Sequence, residues 1–456
     1  MSGLPKGWVP TTISELAGTS GIFVDGDWVE SKDQDPNGNI RLLQLADIGD
    51  GAFVDKSDRW INDDAFTRLR CTELATGDVL IARMPDPLGR ACLMPALEQR
   101  CVTVVDVAAL RVDPLLANNR WAMHTINAPQ LRAEIDAQAS GTTRKRISRG
   151  NLGNLQVPLP PEAEQKRIAN KLDTVLTRVN AVNTRLARVA SMLKRFRQSV
   201  LAAATVGRLT DDWRRNEAPA WSELCFSDVV LESSTGLVRS ATDQAPMRDG
   251  LTPYLKMNSI GEMWGYQCND LPGVHCSTEE FNRYELKNGD WLFNTRNSVE
   301  LVGKSCVWNG PAGVVFNNNL LRVRFKAAIN PNWVEIYFRS PIGRNLLNAV
   351  KSATTSVAAI YQRSLMELPL KLPPEREQTE IVRRVETLLA FADRIEGRLQ
   401  TAQTGAERLA PALLAKAFRG ELVPQDPNDE PASELLRRSQ ADRPASKSTQ
   451  GRRAAA

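Results

Sequence analysis

An internal repeat constrains the fold of this chain more than any other feature. The phrase LPPEAEQKRI begins at Leu159, and LPPEREQTEI begins 213 residues later at Leu372, with seven of the ten letters identical. The same offset carries Trp8 onto Trp221, so the repeat spans nearly all of the 456 residues. Because similarity at a fixed offset marks a duplicated structural unit, we expect two copies of one plan. The front of each copy, about 150 residues, has diverged, whereas the back, about 50 residues, has not.

The back of each repeat has the pattern of a long helix. A proline pair ends the preceding extended segment, and the acidic residues that follow, Glu162 and Glu164 in the first copy, suit the positive end of a helix dipole. Apolar residues then recur at alternating spacings of four and three, which is typical of a coiled-coil seam. The first seam is Ile168, Leu172, Val175, Val179, Val182, Leu186, Val189, Leu193, Phe196 and Val200, and the second is Ile381, Val385, Leu388, Ala392, Ile395, Leu399, Ala402, Ala406, Leu409 and Leu413.

Two matched helices in one chain are expected to pack on each other, although each could instead lie on its own domain. Residues 162–204 would form a helix about 64 Å long at 1.5 Å per residue, whereas the second front segment should be only about 40 Å across. That segment is too small to carry the chain back along the whole helix, as parallel packing would require. We therefore predict an α+β fold in which two mixed α/β domains are joined by a central antiparallel two-helix coiled coil with pseudo-twofold symmetry.

The pattern also predicts domain boundaries. They place a first domain at 1–158, a first long helix at 159–209, a second domain at 210–371 and a second long helix at 372–423. Within the domains, the phrases GDVLIAR and GDWLFNTR, which begin at Gly77 and Gly289, each indicate a turn that leads into a strand. Residues 424–456 are rich in Pro, Ser, Asp and Arg, which predicts a largely disordered tail.

Composition excludes several classes of protein. The seven cysteines are odd in number and scattered, which does not fit a disulfide framework. No apolar run reaches the ~20 residues of a membrane span, and the first residues lack a leader pattern, so a cytoplasmic location is expected. Only His124 and His275 are histidines, the GKS at Gly303 lacks the first glycine of a phosphate loop, and no metal-ligand spacing is present. The sequence thus contains no catalytic constellation.

The net charge of +5 is compatible with a polyanionic partner, and one basic loop is the sharpest sign of it. The loop TTRKRISR combines two hydroxyls with a basic triplet, a set that suits phosphate contact. Its candidate binding residues are Thr142, Thr143, Arg144, Lys145 and Arg146. The alternative is a solvated charged loop without a partner.

These motifs, in this order, resemble the DNA-specificity subunit of type I restriction-modification systems. The resemblance is carried by the doubled LPPE phrase, the GTTRKRI lead-in, GWVPTTISELA at the start and GELVPQDPNDEPASELL near the end, and it covers essentially the whole chain. It implies that each front segment is a target-recognition domain that reads one half of a bipartite site in double-stranded DNA. It also implies that the paired helices hold the domains apart and bind two methyltransferase subunits.

The resemblance further implies that chemistry is delegated to partners. This chain would hold no cofactor, whereas S-adenosylmethionine, ATP and Mg would bind the methyltransferase and restriction subunits of an adenine-methylating, ATP-dependent nuclease complex. The bases would be read within the recognition domains, where Arg83, Arg296 and Asn297 follow matched strands and suit guanine or adenine edges. Packing or phosphate contact is the competing role for each. The second lead-in, SATTSVAAI, keeps Thr354 and Thr355 but lacks the basic triplet.

Two other functions remain compatible with the sequence. One is a coiled-coil scaffold, or an orphan specificity remnant, that assembles with modification subunits without targeting DNA. The other is a self-contained nucleic-acid enzyme, which would need a cofactor loop that the sequence does not show.

Overall fold

The computed structural model describes residues 3–141, 144–214, 220–261, 265–353 and 357–441. The chain forms two compact units, which are residues 1–186 with 402–456 (unit 1) and residues 187–401 (unit 2). In the described part of the chain, no helix has both the length and the apolar character that crossing a bilayer requires.

Unit 1 combines short strands and helices with parts of the two long helices. Its strands are β1 (Val9–Thr12), β2 (Ile22–Asp25), β3 (Ile40–Leu43), β4 (Trp60–Ile61), β5 (Val79–Ala82), β6 (Ala91–Leu93), β7 (Arg100–Thr103), β8 (Val107–Arg111) and β9 (Gln156–Leu159). Its helices are α1 (Asp63–Leu69), α2 (Asn119–Ile126), α3 (Pro129–Ala137), α4 (Arg149–Gly153) and the first part of α5 (Glu162–Thr205). The main sheet has the order β2-β8-β5-β6, and a second sheet has the order β4-β3-β7.

Unit 2 repeats this plan with more and shorter strands. Its first half contains α6 (Asp211–Arg214), β10 (Ser222–Cys225), α7 (Phe226–Val229), β11 (Val230–Thr235), β12 (Gln244–Ala245), β13 (Thr252–Leu255), β14 (Gly273–Val274), α8 (Thr278–Tyr284), β15 (Trp291–Asn294) and β16 (Arg296–Asn297). Its second half contains β17 (Ser305–Val307), β18 (Val315–Phe316), β19 (Leu320–Phe325), α9 (Pro331–Arg339), α10 (Pro341–Ala349), β20 (Ser352–Ala353), β21 (Ala358–Ala359), α11 (Gln362–Met366), β22 (Pro369–Leu372) and the first part of α12 (Glu375–Ala417). The main sheet has the order β11-β19-β15-β17.

The sequence offset is preserved in the strand register. β1 pairs antiparallel with β9 so that Val9 lies opposite Leu159, and β10 pairs with β22 so that Ser222 lies opposite Leu372. The first and last strands of each front segment therefore pair with each other, and a long helix follows directly after the last strand. The predicted strands after Gly77 and Gly289 are confirmed as β5 and β15, whose residues are all buried.

The glutamine of each repeated phrase ties the long helix to its own domain. The side-chain oxygen of Gln165 accepts a hydrogen bond from the amide of Asn118, the N-cap of α2, at 2.7 Å. In the same way, Gln378 accepts a hydrogen bond from the amide of Asn330, the N-cap of α9, at 2.8 Å. The amide group of Gln165 also donates to the Pro160 carbonyl at 3.0 Å. A buried amide side chain that satisfies backbone groups in this way fixes the angle at which the helix leaves the domain.

The two long helices contact each other in both units. In unit 1 the start of α5 shares a core with the end of α12, since Ile168 and Leu172 cluster with Leu414 and Ala417. In unit 2 the end of α5, at Val200 to Ala204, shares a core with the start of α12, at Ile381 to Val385. Within each unit the beginning of one helix thus meets the end of the other. The mixed α/β units and the paired helices confirm the predicted fold class, whereas the domain boundaries stay predictions.

The seam itself is less regular than predicted. Buried seam positions include Ile168, Leu172, Val179, Ile381, Val385 and Leu399, while Leu186 and Ile395 are half-buried. The prediction of a continuous seam is wrong at Val182, Ala402 and Leu409, which are exposed. In α5 the buried face follows the positions spaced by seven from Leu172, which leaves Val182 outside.

In the last part of α12, an interior proline marks a change in the buried positions. Pro411 lies inside the helix and lacks the amide that an interior helical residue donates. The buried residues around it are Ala406, Leu414 and Ala417, a spacing that departs from the heptad.

The predicted disorder of the tail is wrong for 424–441. Helix α13 (Ala432–Ala441) belongs to unit 1, where Ala432 and Leu435 are buried in the main core. The amide of Ala432 donates to the Gly7 carbonyl at 2.9 Å. A polar composition therefore concealed two apolar contacts and one backbone hydrogen bond that anchor the segment; residues 442–456 lie outside the described residues.

Candidate functional site

The predicted site residues of unit 1 that the structure describes, Arg83 and Arg144 to Arg146, lie at one edge of its main sheet. β2 and β5 end at this edge and β8 begins there, because Asp25 pairs with Ala108 and Ala82 pairs with Val107. We call the loops at this edge, residues 26–30, 83–84, 104–106 and 144–149, the loop face of unit 1. The corresponding edge of unit 2, where β11 and β15 end and β19 begins, carries residues 236–240, 295–297, 317–319 and 357–360, the loop face of unit 2.

Three backbone hydrogen bonds join the loops of unit 1. The amide of Val105 donates to the Asp27 carbonyl at 3.0 Å, and the amide of Arg83 donates to the Asp106 carbonyl at 2.8 Å. The amide of Ile147 then donates to the Arg83 carbonyl at 3.2 Å. The basic loop is therefore held against the end of β5 by main-chain bonds.

The same three bonds recur in unit 2. Asn318 donates to the Leu237 carbonyl at 3.2 Å, Thr295 donates to the Asn319 carbonyl at 2.9 Å, and Ile360 donates to the Thr295 carbonyl at 2.9 Å. Because backbone bonds do not depend on side-chain identity, the two units hold four loops on one scaffold while their side chains differ.

The structure places Arg83 in the interior of this scaffold. Its side chain is 6% exposed and forms an ion pair with Asp25, while its Nε donates to the Ile147 carbonyl at 3.0 Å. It also donates to the Val105 carbonyl at 3.1 Å. Burial lowers the pKa of the guanidinium, and Asp25 opposes that shift. With Nε and one terminal nitrogen bound to a carboxylate and two carbonyls, the buried Arg83 holds the basic loop against the end of β5.

The basic triplet lies on the surface beside it. Arg144 is exposed and forms no ion pair within the described part of the chain. Lys145 contacts Asp136 at 2.9 Å, and Arg146 approaches Asp106 at 3.6 Å. The threonines of the predicted phosphate loop, Thr142 and Thr143, lie outside the described residues.

In unit 2 the predicted residues lie on a small sheet of the loop face. Arg296 and Asn297 form β16, which pairs with β21, and β21 pairs in turn with β20. Arg296 is exposed and, among the residues that the structure covers, has no ion-pair partner, while the Asn297 side-chain oxygen accepts the Ser298 amide at 2.8 Å. Thr354 and Thr355 fall between β20 and β21, outside the described residues.

Sequence reasoning missed three exposed residues of the two loop faces. Trp28 is 66% exposed and Val238 is 68% exposed. Asn318 is exposed at the centre of the Asn317–Asn319 run. The triple asparagine is a detectable signal, because an amide side chain in a turn suits hydrogen bonding to a base edge. The equivalence of Trp28 and Val238 was hidden, since their offset of 210 differs from that of the helices.

One acidic group of the unit 1 loop face has an unusual proton affinity. Burial raises the pKa of Asp27 to about 6, although the Thr72 amide and the Cys71 thiol lower it. The Thr72 amide lies 3.1 Å from one carboxylate oxygen. Across the described ranges, no group of three or more His, Cys, Asp or Glu side chains could hold a metal ion. The loop faces thus offer cations, amides and apolar side chains, a set that recognises a polyanion with readable edges.

Comparison with known proteins gives related sequences over most of the chain. The profile of the type I restriction modification DNA specificity domain matches residues 5–190. The EcoKI specificity subunit of Escherichia coli K12 is 34% identical over 352 residues, which cover 74% of this chain and 74% of that protein. The StySPI specificity subunit of Salmonella potsdam is 31% identical and covers 70% of this chain and 68% of that protein.

Solved structures with low sequence identity share the fold. A chain from a study of complex assembly and conformational transition of the type I R-M system matches with a TM-score of 0.71 at 19% identity, covering 92% of this chain and 100% of its own length. The HsdS subunit of Thermoanaerobacter tengcongensis matches with a TM-score of 0.57 at 19% identity, covering 92% and 98% of the two chains.

Proposed function

This chain belongs to the family of type I restriction-modification DNA specificity subunits, and from that premise we propose that it reads an asymmetric, bipartite site in double-stranded DNA. Each unit would read one half-site. The chain would act as the targeting subunit of a larger complex and perform no bond-making step itself.

One observation carries this proposal: the same four-loop scaffold occurs twice with different side chains. In unit 1 the scaffold carries Trp28 and Arg144, and in unit 2 it carries Val238, Arg296 and Asn318. A common scaffold gives both units the same docking mode on a duplex, as paired DNA readers require. Different side chains on that scaffold imply different half-sites, so the complete site is not a palindrome.

The side chains of the loop faces divide by chemistry. Arg144, Lys145 and Arg146, with Thr142 and Thr143, would contact phosphates, because guanidinium, ammonium and hydroxyl groups that bind phosphates position a protein without reading sequence. Arg296, Asn297 and Asn318 would reach base edges, since arginine pairs with guanine and asparagine with adenine. Thr354 and Thr355 would add contacts with the phosphate backbone of the DNA. Arg83 is a positioning residue, because its guanidinium is committed to Asp25 and two carbonyls.

The chemistry of the complex would come from partners. We propose that two methyltransferase subunits bind the paired helices and methylate adenine with S-adenosylmethionine, and that restriction subunits add ATP- and Mg-dependent cleavage. The exposed apolar residues Val182 and Leu409 of the two long helices are available for such contacts in the described chain. Two recruited methyltransferases suit two recognition units, since each could modify one strand.

Reconstitution with the methyltransferase subunits tests this function. Duplexes that carry the two half-sites at the native spacing should bind more tightly than scrambled duplexes by a factor of about 10³ or more. Equal affinity for cognate and scrambled DNA, at several salt concentrations, would contradict the proposal and favour a scaffold that assembles without targeting.

A further inference from the structure

Trp28 and Val238 occupy the same position of the two loop faces. Each lies two residues after a glycine, Gly26 or Gly236, whose amide donates to the strand that begins at the loop face. A Cβ at Gly26 would lie 2.2 Å from the Val104 carbonyl oxygen, and at Gly236 it would lie 2.3 Å from the Phe316 carbonyl oxygen. Both sites therefore need glycine, and the chain leaves both along one path.

The segment after each apolar side chain is also held in the same way. The Glu30 amide donates to the Asp33 carboxylate at 3.0 Å, and the Ser240 amide donates to the Asp243 carboxylate at 2.8 Å. Each pair opens a one-turn helix that anchors the loop. The backbone on both sides of position 28 or 238 is thus fixed, while the side chain between the anchors changes from indole to isopropyl.

Neither side chain serves the interior of its own unit. Trp28 is 66% exposed, and within the described residues its indole forms one hydrogen bond, from Nε1 to the Glu30 carboxylate at 3.2 Å. Val238 is 68% exposed. A single exposed apolar side chain is common on protein surfaces, but here the same loop position is apolar and exposed in both units, which favours a shared role in binding.

We propose that Trp28 and Val238 are equivalent base-contacting residues, each of which reads an apolar feature of its half-site. This inference rests on the proposed DNA-binding function. Charge favours DNA as the occupant: Arg144 in one loop face and Arg296 in the other are exposed and lack ion pairs within the described residues. Apolar side chains discriminate base pairs by contacting the thymine methyl group or a base step. The change from indole to isopropyl gives the two units different preferences.

The test uses the full chain assembled with its methyltransferase subunits and the DNA site that this complex methylates. Trp28→Ala and Val238→Ala are compared with Leu115→Ala and Leu231→Ala. These controls are matched, because Leu115 is 68% and Leu231 is 69% exposed but both lie at the sheet edge opposite the loop face. Affinity is measured for the cognate duplex and for duplexes with each single base pair replaced.

Trp28→Ala should weaken cognate binding about 5- to 150-fold and remove discrimination at base pairs of one half-site only. Val238→Ala should remove discrimination in the other half-site, and both leucine controls should behave as the unaltered complex. Three results would overturn the inference: unchanged base preferences in both variants, an equal loss of affinity for every duplex, or loss of methyltransferase association. Failure of the proposed function is distinct, because then the unaltered complex itself would show no base preference.

Discussion

The indole Nε1 of Trp8 donates to the buried carboxylate of Glu164 at 2.9 Å, and the equivalent Trp221 donates to Glu377 at 3.0 Å. Each bond joins the residue directly before the first strand, β1 or β10, to the long helix that follows the same front segment. The glutamate is the second acid of the repeated phrase, which the sequence suggested was a helix-dipole partner. It lies in the first turn of its helix, as predicted, and its burial and its indole donor also join the domain to the helix.

The two buried glutamates, Glu164 and Glu377, differ in the number of hydrogen bonds that they accept. Glu377 also accepts hydrogen bonds from Thr210 at 2.7 Å and from Arg214 at 2.8 Å. Among the residues that the structure describes, the second oxygen of Glu164 is buried without a hydrogen-bond partner, and burial raises the pKa of this carboxyl against the opposing effects of Trp8 and Arg167. The two repeats thus share the indole–carboxylate hydrogen bond but differ in how the buried charge is compensated.

Neutralising the two acids should therefore have unequal effects. Glu377→Gln removes a carboxylate that an arginine and two other donors stabilise, and it should lower the free energy of unfolding by about 2 kcal/mol. Glu164→Gln should cost less than about 1 kcal/mol, because it removes a partly uncompensated buried charge. Thermal and denaturant unfolding of the full chain measure both values. Equal losses would contradict the asymmetry.

Substitutions of Arg83 and Arg144 in the unit 1 loop face should have different effects, one on stability and the other on DNA binding. Arg83→Met leaves Asp25 and the 144–149 loop without their buried donor, which should cost about 3 kcal/mol of stability. Arg144→Ala should change stability by less than about 0.5 kcal/mol, yet reduce the slope of log affinity against log salt by about 0.9, the value of one phosphate contact. Paired measurements of unfolding and salt-dependent binding separate them. If Arg83→Met left the stability unchanged but weakened base discrimination, the positioning role would be contradicted and Arg83 would contact the bases.

Ionisation of Asp27 should make the stability of the folded protein depend on pH. Its pKa is about 6 in the folded protein, against about 3.9 in an unfolded chain. A carboxyl whose pKa is raised stabilises the fold below about pH 4, and this contribution is lost as pH rises through about 6. Asp27→Asn stays neutral, so its melting temperature should exceed that of the unaltered chain at pH 8 but not at pH 4. The exposed Asp249→Asn is the control and should show no such crossover.

The C-terminal helix α13 should contribute to the stability of unit 1. Deleting residues 432–456 removes the buried Ala432 and Leu435 and should lower stability by about 3 kcal/mol. Deleting only 442–456 leaves α13 in place and should have little effect. Circular dichroism melts of both truncations decide between an anchored helix and a dispensable tail.

The long helices should set the spacing of the site. One additional heptad in each of α5 and α12 adds about 10 Å of helix, which corresponds to about three base pairs of DNA at 3.4 Å each. The reconstituted complex should then prefer half-sites three base pairs further apart, with unchanged half-sites. Three inserted residues in each helix, which break the heptad, should abolish assembly instead of shifting the spacing.

The repeat made the architecture predictable, because a single offset of 213 carries the ribbon pairing and both long helices. The loop faces were less predictable for a physical reason: insertions change the offset to 212 at β5 and β15 and to 210 at Gly26 and Gly236. The sequence placed Arg83 after a strand, but its burial depends on acceptors from distant segments, Asp25 and Ile147. The seam failed at Leu409 beside Pro411, where the buried positions depart from the heptad.

We propose that one scaffold presents two different reading surfaces. The most direct test is genome-wide mapping of methylated adenines in cells that carry this chain with its methyltransferase subunits. We expect a single motif of two unlike half-sites separated by an unread gap of constant length. Trp28→Ala and Val238→Ala should each relax a different half of that motif. A palindromic or continuous motif, or DNA without modified adenines, would contradict this proposal.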